Sequence, residues 1–578
     1  MRPPKSSDVH ANDEEAEEDR SEWPIHAKDV GSIDLDALAD LPGVPESTTG
    51  AKWAEKRRWL EDDDAYAEHN VPVRGGAGTP TANYRPHWIK RLEETEVVKP
   101  IRAKQVRGWT RMYAVPELAK KRFRAIMHTV DINDYCGADT IDHERFPTKL
   151  TIAESVHDGE WTVCLDFSAY YYQFALSAPV GRRMCFRWHR RFYCLLKLAM
   201  GQRQAVDIAK AATARLLDFP QQSRRVMAII DNVSFTGSRD AVVADAWTFI
   251  QRCRAVGATL NEIDVRTATL DDVAKLATQE TDWGGVHVDL VAKTASLTAK
   301  VVERTRVSWA RRERWEWRHY AAHVGLLFWA WGIIDLPMAS FFDVLRFNSE
   351  VGKTAMARLV DERRAGGLPD DAMPPNPFWS ERANVWPSVM PVLQRWTELV
   401  LRNEPRAVLP RETPDILLEC DASKWGWGCC GLHVPTNTQF VHGAPWSDEM
   451  RRRFSHKLGE STLAEPLGIL HSMAHAQARF PDATRYAITN DNTVAVVSHR
   501  RGFNSRSWAI NESLRAREEL FPARKYSVEL QHVAGATNIA DGVSRGHAAS
   551  EVEGGPSFAG LLRSTWGVTG DVDEGDPA

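Results

Sequence analysis

No apolar run in the 578 residues is long enough to cross a bilayer. The longest, Val324 to Ile334, is 11 residues, against the roughly 20 that a membrane helix needs. The first 25 residues are polar and acidic and lack the apolar centre of a secretory leader. The expectation is a soluble protein with no membrane partner. Cysteine is sparse, at positions 136, 164, 185, 194, 253, 420, 429 and 430, with no C-x-x-C pair and no finger-like spacing. That pattern excludes a disulfide framework and a zinc finger, and fits buried free thiols in a reduced, intracellular compartment, cytoplasm or nucleus. No internal repeat is present, which excludes a repeat architecture.

Charge is present and unevenly spread. Residues 1–50 carry 13 acidic and 4 basic side chains, and residues 546–578 carry 6 and 1, so a chain of net charge −5 has a middle of +9. A basic middle between acidic tails suits a protein that follows a phosphate backbone. The length allows three or four domains. Both tails, 1–50 and 546–578, are too poor in apolar residues to order themselves and are expected to be disordered. A helical extension is expected over 51–94, where Trp53, Trp59, Leu60 and Tyr66 recur at helical spacing. Short β-branched strands alternate with helical patterns over 95–300, as in an α+β fold. Residues 301–412 read as helical, with arginines interleaved among Trp309, Trp315 and Trp317; Pro-rich segments then lead into an α/β pattern over 413–545.

Four acids in this last region sit at informative places. Asp421 closes the apolar strand ILLEC, Glu465 rides the helical segment STLAEPLGIL, Asp491 ends the strand RYAITN, and Asp541 follows Asn-Ile-Ala. Strand ends and helix starts are where an α/β sheet can bring carboxylates to one point. Two Mg²⁺ ions about 4 Å apart need such a cluster of hard oxygen ligands. In order and in the closing N-x-A-D-x-x-S-R, here Asn538 to Arg545, these segments resemble the ribonuclease H of retroelement polyproteins.

Upstream, WTVCLDFSAYYYQFAL delivers Asp166 from a strand into a turn with three tyrosines, and RVMAIIDNVSFTG places Asp231-Asn232 between two strands as a hairpin tip. The two carboxylates would come within reach of one metal pair. Between them LKLAMGQRQAVDIAKAATARLL is a Gly turn leading into a helix. The order resembles the palm of a reverse transcriptase. The resemblance implies that Asp166 and Asp231 are catalytic metal ligands, and that Tyr171 selects deoxynucleotides by excluding a ribose 2′-hydroxyl. It implies that Gly201 and Gln202 lie against the templating base and incoming nucleotide. It also implies that Arg124, in the fingers strand KKRFRAIMHTVDIN closed by Asn133, contacts the triphosphate, and that DWGGVHVDLVAKTASL forms the hairpin that grips the primer. Taken singly each has a plainer reading: a turn aspartate, a cap glycine, a core aromatic, a solvated arginine. Their order binds them together.

The fold this implies is a multidomain α+β and α/β chain: a right-hand polymerase of fingers, palm and thumb, then a ribonuclease H-like mixed sheet with flanking helices. The implied partners are an RNA template, a DNA primer, deoxynucleoside triphosphates and an RNA-DNA hybrid, with Mg²⁺ or Mn²⁺ as cofactor. The implied metal ligands are Asp166 and Asp231 in the first site and Asp421, Glu465, Asp491 and Asp541 in the second. The M-G-Q turn and the Ile-Asp-Asn hairpin look most like tyrosine-recombinase retrotransposons of the DIRS and VIPER type. No recombinase, aspartic protease or integrase pattern is visible, so one polymerase-plus-nuclease reading frame or a piece of a larger polyprotein is expected.

Three departures bear on activity. Asn232 stands where most such enzymes have a second aspartate, which removes one formal charge from the site. Ala199 replaces the proline usual before the Gly turn, and the lysine expected after Gly257 and Asn261 is missing. His532 lies near where related nucleases carry a loop histidine. A decayed or domesticated element that binds nucleic acid without catalysis is the alternative, and Asn232 is the feature in its favour.

Overall fold

The computed structural model describes residues 20–69, 84–117, 120–128, 146–198, 200–334, 336, 338–367, 376–410, 413–454, 458–523, 525–546, 558–566 and 568. The chain divides into two compact units, 1–294 and 295–578. Asn133 and Ala199 lie outside the described residues.

The first unit is built on three small sheets. Its central sheet has the order Trp161–Asp166, Asn232–Gly237, Arg225–Ile229, all antiparallel. Helices Arg203–Leu216 and Arg239–Ala255 pack on it. The second of these starts where the Ser238 hydroxyl accepts the Ala241 amide and stops before Gly257, whose φ of +72° suits a glycine after a helix end. A second sheet pairs Val98–Ile101, Arg191–Leu195 and Cys185–Trp188. A third pairs Arg111–Glu117 with Arg122–His128. The expected gripping segment is a hairpin, Glu280–Trp283 with Val286–Asp289, turning on Gly284 and Gly285, both at positive φ.

The expectation of a disordered tail over 1–50 is corrected for residues 20–50. Ile25–His26 adds a parallel strand beside Phe123–Arg124, and Leu35–Asp40 is a helix capped by Asp34. The apolar residues of this stretch are few, but Ile25, Val30, Ile33, Leu38 and Leu41 are all buried in the core of the unit. Buried cations complete the attachment. The Arg215 guanidinium donates to the carbonyls of Ala39 and Leu41 and to Asp218, Arg252 donates to the Pro42 carbonyl, and Asp218 accepts from Val44 N and the Thr49 hydroxyl. Composition sees none of this, because the partners lie some 170 residues away in sequence.

The second unit contains helices Ala299–Ala310, Trp317–Ala330, Phe342–Ala365 and Met390–Arg402, followed by a five-stranded mixed sheet. The helical region and the sheet both lie in the unit 295–578. Among the expected tryptophans Trp315 is fully buried and Trp317 stacks on Phe378, while Arg311, Arg312 and Arg314 are exposed and Arg318 pairs with Glu316 at 2.7 Å. The sheet runs Thr438–Pro445, Gly426–His433, Ile416–Ala422, Arg485–Asn490, Ser527–His532. The first two strands are antiparallel to their neighbours and the last two parallel to the centre. Every residue of Ile416–Ala422 is buried because both faces are covered. Ile416, Leu418 and Cys420 join the core shared with helix Ser461–Arg479, while Leu417 joins a smaller cluster with Ala559 and Leu562. Those last two lie on helix Phe558–Trp566, so the expectation of disorder over 546–578 is corrected for residues 558–566, where an apolar helix face meets the sheet.

Candidate active sites

In the first unit the strand register places Asp166 opposite Asn232, and the Phe167 amide donates to the Asp231 carbonyl at 2.9 Å. The hairpin tip differs from the expected Asp231-Asn232. Ile229 pairs with Asn232, so the two turn residues are Ile230 and Asp231, and it is Ile230 that takes positive φ, +52°. One positive φ at the first turn position is the pattern of a type II′ turn, which usually takes glycine there. A β-branched residue in this conformation is strained, and here it sits beside an acid of the site. Asn232 begins a strand, and its side-chain amide donates to Asp231 Oδ1 at 3.1 Å.

These two acids open on a cavity of about 420 Å³ that is also lined by Arg124, Tyr171, Gly201 and Gln202. Six of the seven residues expected here thus line one cavity; Asn232, expected to touch substrate as well, is not among the lining residues. Gly201 has φ +109°, a conformation that requires glycine, and Gln202 stands just before helix Arg203–Leu216 with its side chain buried and no capping hydrogen bond. The Arg124 guanidinium is held by Glu117 at 2.5 Å. Asp166 is pushed up to about 6, chiefly by burial and then by the Asp231 carboxylate, against a hydrogen bond from Asn261. Asp231 is raised by its own burial, opposed in part by Asn232. Burial raises the Tyr171 phenol to about 12, with Asp231 adding to it.

Three lining groups, Asn261, His26 and Lys28, and one acid beside them, Glu262, were not legible in the sequence. Asn261 Nδ2 donates to Asp166 Oδ2 at 2.7 Å, and the Glu262 carboxylate accepts the Asp166 amide at 2.8 Å. His26 and Lys28 reach the cavity from the N-terminal stretch. Their distance along the chain leaves no local signal.

In the second unit Asp421, Glu465 and Asp491 converge, with one carboxylate oxygen of each within 4.8 Å of the others. Asp541, expected as a fourth ligand, stands outside this group and forms an ion pair with Arg545 at 2.6 Å. It begins the short helix Asp541–Ser544, and its carboxylate still acts on Asp421. The triad is held by neutral donors. Asn538 Nδ2 and the Ser544 hydroxyl donate to Asp421 at 3.1 and 2.5 Å, and Asn490 Nδ2 donates to Glu465 at 2.8 Å and to the Cys420 carbonyl at 3.0 Å. Glu465 is pushed up to about 8, mostly by burial and then by Asp421. Asp421 is pushed up to about 6 by burial, opposed by Ser544 and reinforced by Asp491. Asn492, the residue after Asp491, caps helix Thr493–Arg501. His532 Nε2 lies 3.0 Å from the Asp491 carbonyl oxygen.

A fifth acid went unnoticed. Glu419, two residues before Asp421 on the same face of the strand, accepts the Ile539 amide at 2.5 Å and the Thr489 hydroxyl at 3.1 Å. It ties the strands before Asp421 and Asp491 to the loop before Asp541, and strand alternation would have found it.

The donor sets fit a hard divalent cation. They are carboxylates; burial with like-charge repulsion lifts the proton affinity of Asp166, Asp421 and Glu465, and burial lifts that of Asp231, which is the condition a cation relieves. No family model and no curated protein matches the chain. Among solved structures, the chain is similar to a foamy viral protease-reverse transcriptase in complex with double-stranded DNA, at 10% identity and TM-score 0.43 over 86% of this chain and 96% of that one. The same enzyme with an RNA/DNA hybrid matches at 10% identity and TM-score 0.43 over 86% of this chain and 62% of that one. At this level of similarity the functional argument rests on the geometry of the two sites.

Proposed function

We propose that this protein is an RNA-directed DNA polymerase with an attached ribonuclease H, of retrotransposon origin and nearest in kind to the DIRS and VIPER type. The observation that carries the reading is the cavity of the first unit, where Asp166, Asp231, Tyr171, Gly201 and Gln202 meet although they span 66 residues of sequence. Asp166 and Asp231 would hold Mg²⁺ or Mn²⁺ in that unit, and Asp421, Glu465 and Asp491 in the other, with Asp541 contributing once released from Arg545. When bound, such cations activate an attacking oxygen and stabilise the leaving one in phosphoryl transfer.

The chain's own residues supply position. Tyr171 presents a rigid ring at the cavity wall, where a bulky group excludes a sugar 2′-hydroxyl. Gln202 and Gly201 form the floor against which a base pair would rest. Arg124 meets a triphosphate only by exchanging its Glu117 partner. In the second unit the neutral donors Asn490, Asn538 and Ser544 orient the carboxylates without neutralising them, leaving their charge for cations. Hybrid recognition there would rest on 2′-hydroxyls and groove shape. The substrates are then an RNA template, a DNA primer, deoxynucleoside triphosphates and the hybrid they produce, in the cytoplasm or nucleus.

A second reading, a non-catalytic nucleic-acid scaffold, is favoured by one contact: the Asn232 amide occupies a lone pair of Asp231 that a second cation ligand would leave open. Primer extension on poly-rA/oligo-dT in Mg²⁺ and in Mn²⁺, with labelled RNA, separates the two. Synthesis lost in Asp166→Ala supports the polymerase. Synthesis only in Asn232→Asp means that one substitution has silenced the palm; neither synthesis nor RNA degradation by any form supports the scaffold.

A further inference from the structure

Lys28 lies in the stretch whose composition suggested disorder, yet it lines the same cavity as Asp166 and Asp231. The chain on either side of it is pinned. Before it, Ile25–His26 pairs with Phe123–Arg124, and the Ala27 carbonyl accepts Arg91 Nε at 3.0 Å. After it, the Ile33 amide donates to the Gln173 carbonyl at 2.7 Å and Asp34 N to the Val256 carbonyl at 2.9 Å. The ammonium group is therefore carried on fixed backbone. It donates to Ser168 Oγ at 2.9 Å and to Asn261 Oδ1 at 3.0 Å. Asn261 in turn donates to Asp166 Oδ2, so Lys28 stands one side chain away from the acid.

Its neighbours explain what it is for. Arg122 and Arg124, also on the cavity wall, both bind Glu117 at 2.5 Å. Among the described residues the hydrogen-bond partners of Lys28 are two neutral oxygens, which orient the ammonium without neutralising it. A compact, rotatable cation on a cavity wall that Lys120, Arg122 and Arg124 also line, facing Asp166 and Asp231, is suited to a phosphate oxygen. We propose that Lys28 binds the polyphosphate of the incoming nucleoside triphosphate and the pyrophosphate it releases, so that the N-terminal stretch is part of the nucleotide site. This rests on the polymerase reading for its substrate. It also supplies, from the other end of the chain, a cation in the region where the sequence lacks one after Asn261.

The test uses the full chain as wild type, Lys28→Met and Lys28→Arg. Three quantities are read: the KM and kcat for deoxynucleotide incorporation, inhibition by inorganic pyrophosphate, and equilibrium binding of a fluorescent deoxynucleoside triphosphate with Mg²⁺. Thermal unfolding checks that each variant is folded; Lys28 is exposed, so neither change disturbs the core. The expected result for Lys28→Met is about a tenfold or larger rise in KM, in nucleotide Kd and in the pyrophosphate concentration needed to inhibit, with Lys28→Arg near wild type. A folded Lys28→Met with unchanged KM, Kd and pyrophosphate inhibition overturns the proposal. A fall confined to kcat also overturns it, because it would show Lys28 acting only through Asn261 on Asp166. If wild type binds triphosphate but incorporates none, the polymerase reading fails while the binding comparison still decides the role of Lys28.

Discussion

Glu465 holds its proton to about pH 8 and Asp421 to about pH 6, against ordinary values of 4.5 and 3.8. Because the folded-state values are the higher ones, the stability linked to these protons is complete below the unfolded values and is lost as pH rises through the folded ones. For Asp421 the loss runs from 3.8 to 6, and for Glu465 from 4.5 to 8. A cation that replaces the protons removes the penalty. In chelator, the urea midpoint of the second unit should therefore fall steadily between about pH 5 and pH 8. Saturating Mg²⁺ or the Glu465→Gln substitution should flatten that slope. The slope persisting unchanged in Glu465→Gln would show that another group carries it. Addition of Mg²⁺ at neutral pH should also release protons, measurable by calorimetry in buffers of different ionisation enthalpy.

At the scale of elements, strand Gly426–His433 shows how a run of glycines builds a site. A Cβ on Gly428 would lie 2.6 Å from Ser544 N and 2.8 Å from Val543 Cβ, so only glycine lets helix Asp541–Ser544 cross this strand closely. That crossing puts the Ser544 hydroxyl on Asp421. Gly428→Ala should push the helix away, cost about 1–3 kcal/mol by overpacking, and lower ribonuclease activity more than it lowers stability. RNA-strand cleavage and urea unfolding of the same variant check this, and full cleavage in a destabilised variant would contradict it. The Ile230-Asp231 turn makes a related point. Sequence placed the hairpin correctly but assigned its tip one residue late. The asparagine and aspartate that favour turns suggested one tip, while the pairing of Ile229 with Asn232 imposed another and forced Ile230 into positive φ.

At the scale of the whole molecule, each unit carries its own set of acids, and no residue named in one site belongs to the other unit. The two chemistries should fail separately. Asp166→Ala should abolish synthesis and leave degradation of the RNA strand of a preformed hybrid at wild-type rate, and Asp421→Asn should do the reverse. Loss of both by either variant, in folded protein, would mean that the sites are coupled.

The sequence by itself determined the acids and their order. Asp166, Asp231, Asp421, Glu465 and Asp491 each end a strand, sit in a turn or ride a helix whose apolar periodicity is local, and local periodicity survives in a single sequence. The Gly284-Gly285 hairpin followed from the order of segments that resembles a polymerase palm. Only the tertiary structure decided that residues 20–50 belong to the first unit, that Asn261 reaches Asp166, and that Lys28 reaches Asn261. It alone placed Glu419 as the tie between strands and loop, and paired Asp541 with Arg545 away from the triad. These depend on partners that are distant along the chain or on which of two available charges lies nearer in space, and neither is encoded in the spacing of the residues themselves.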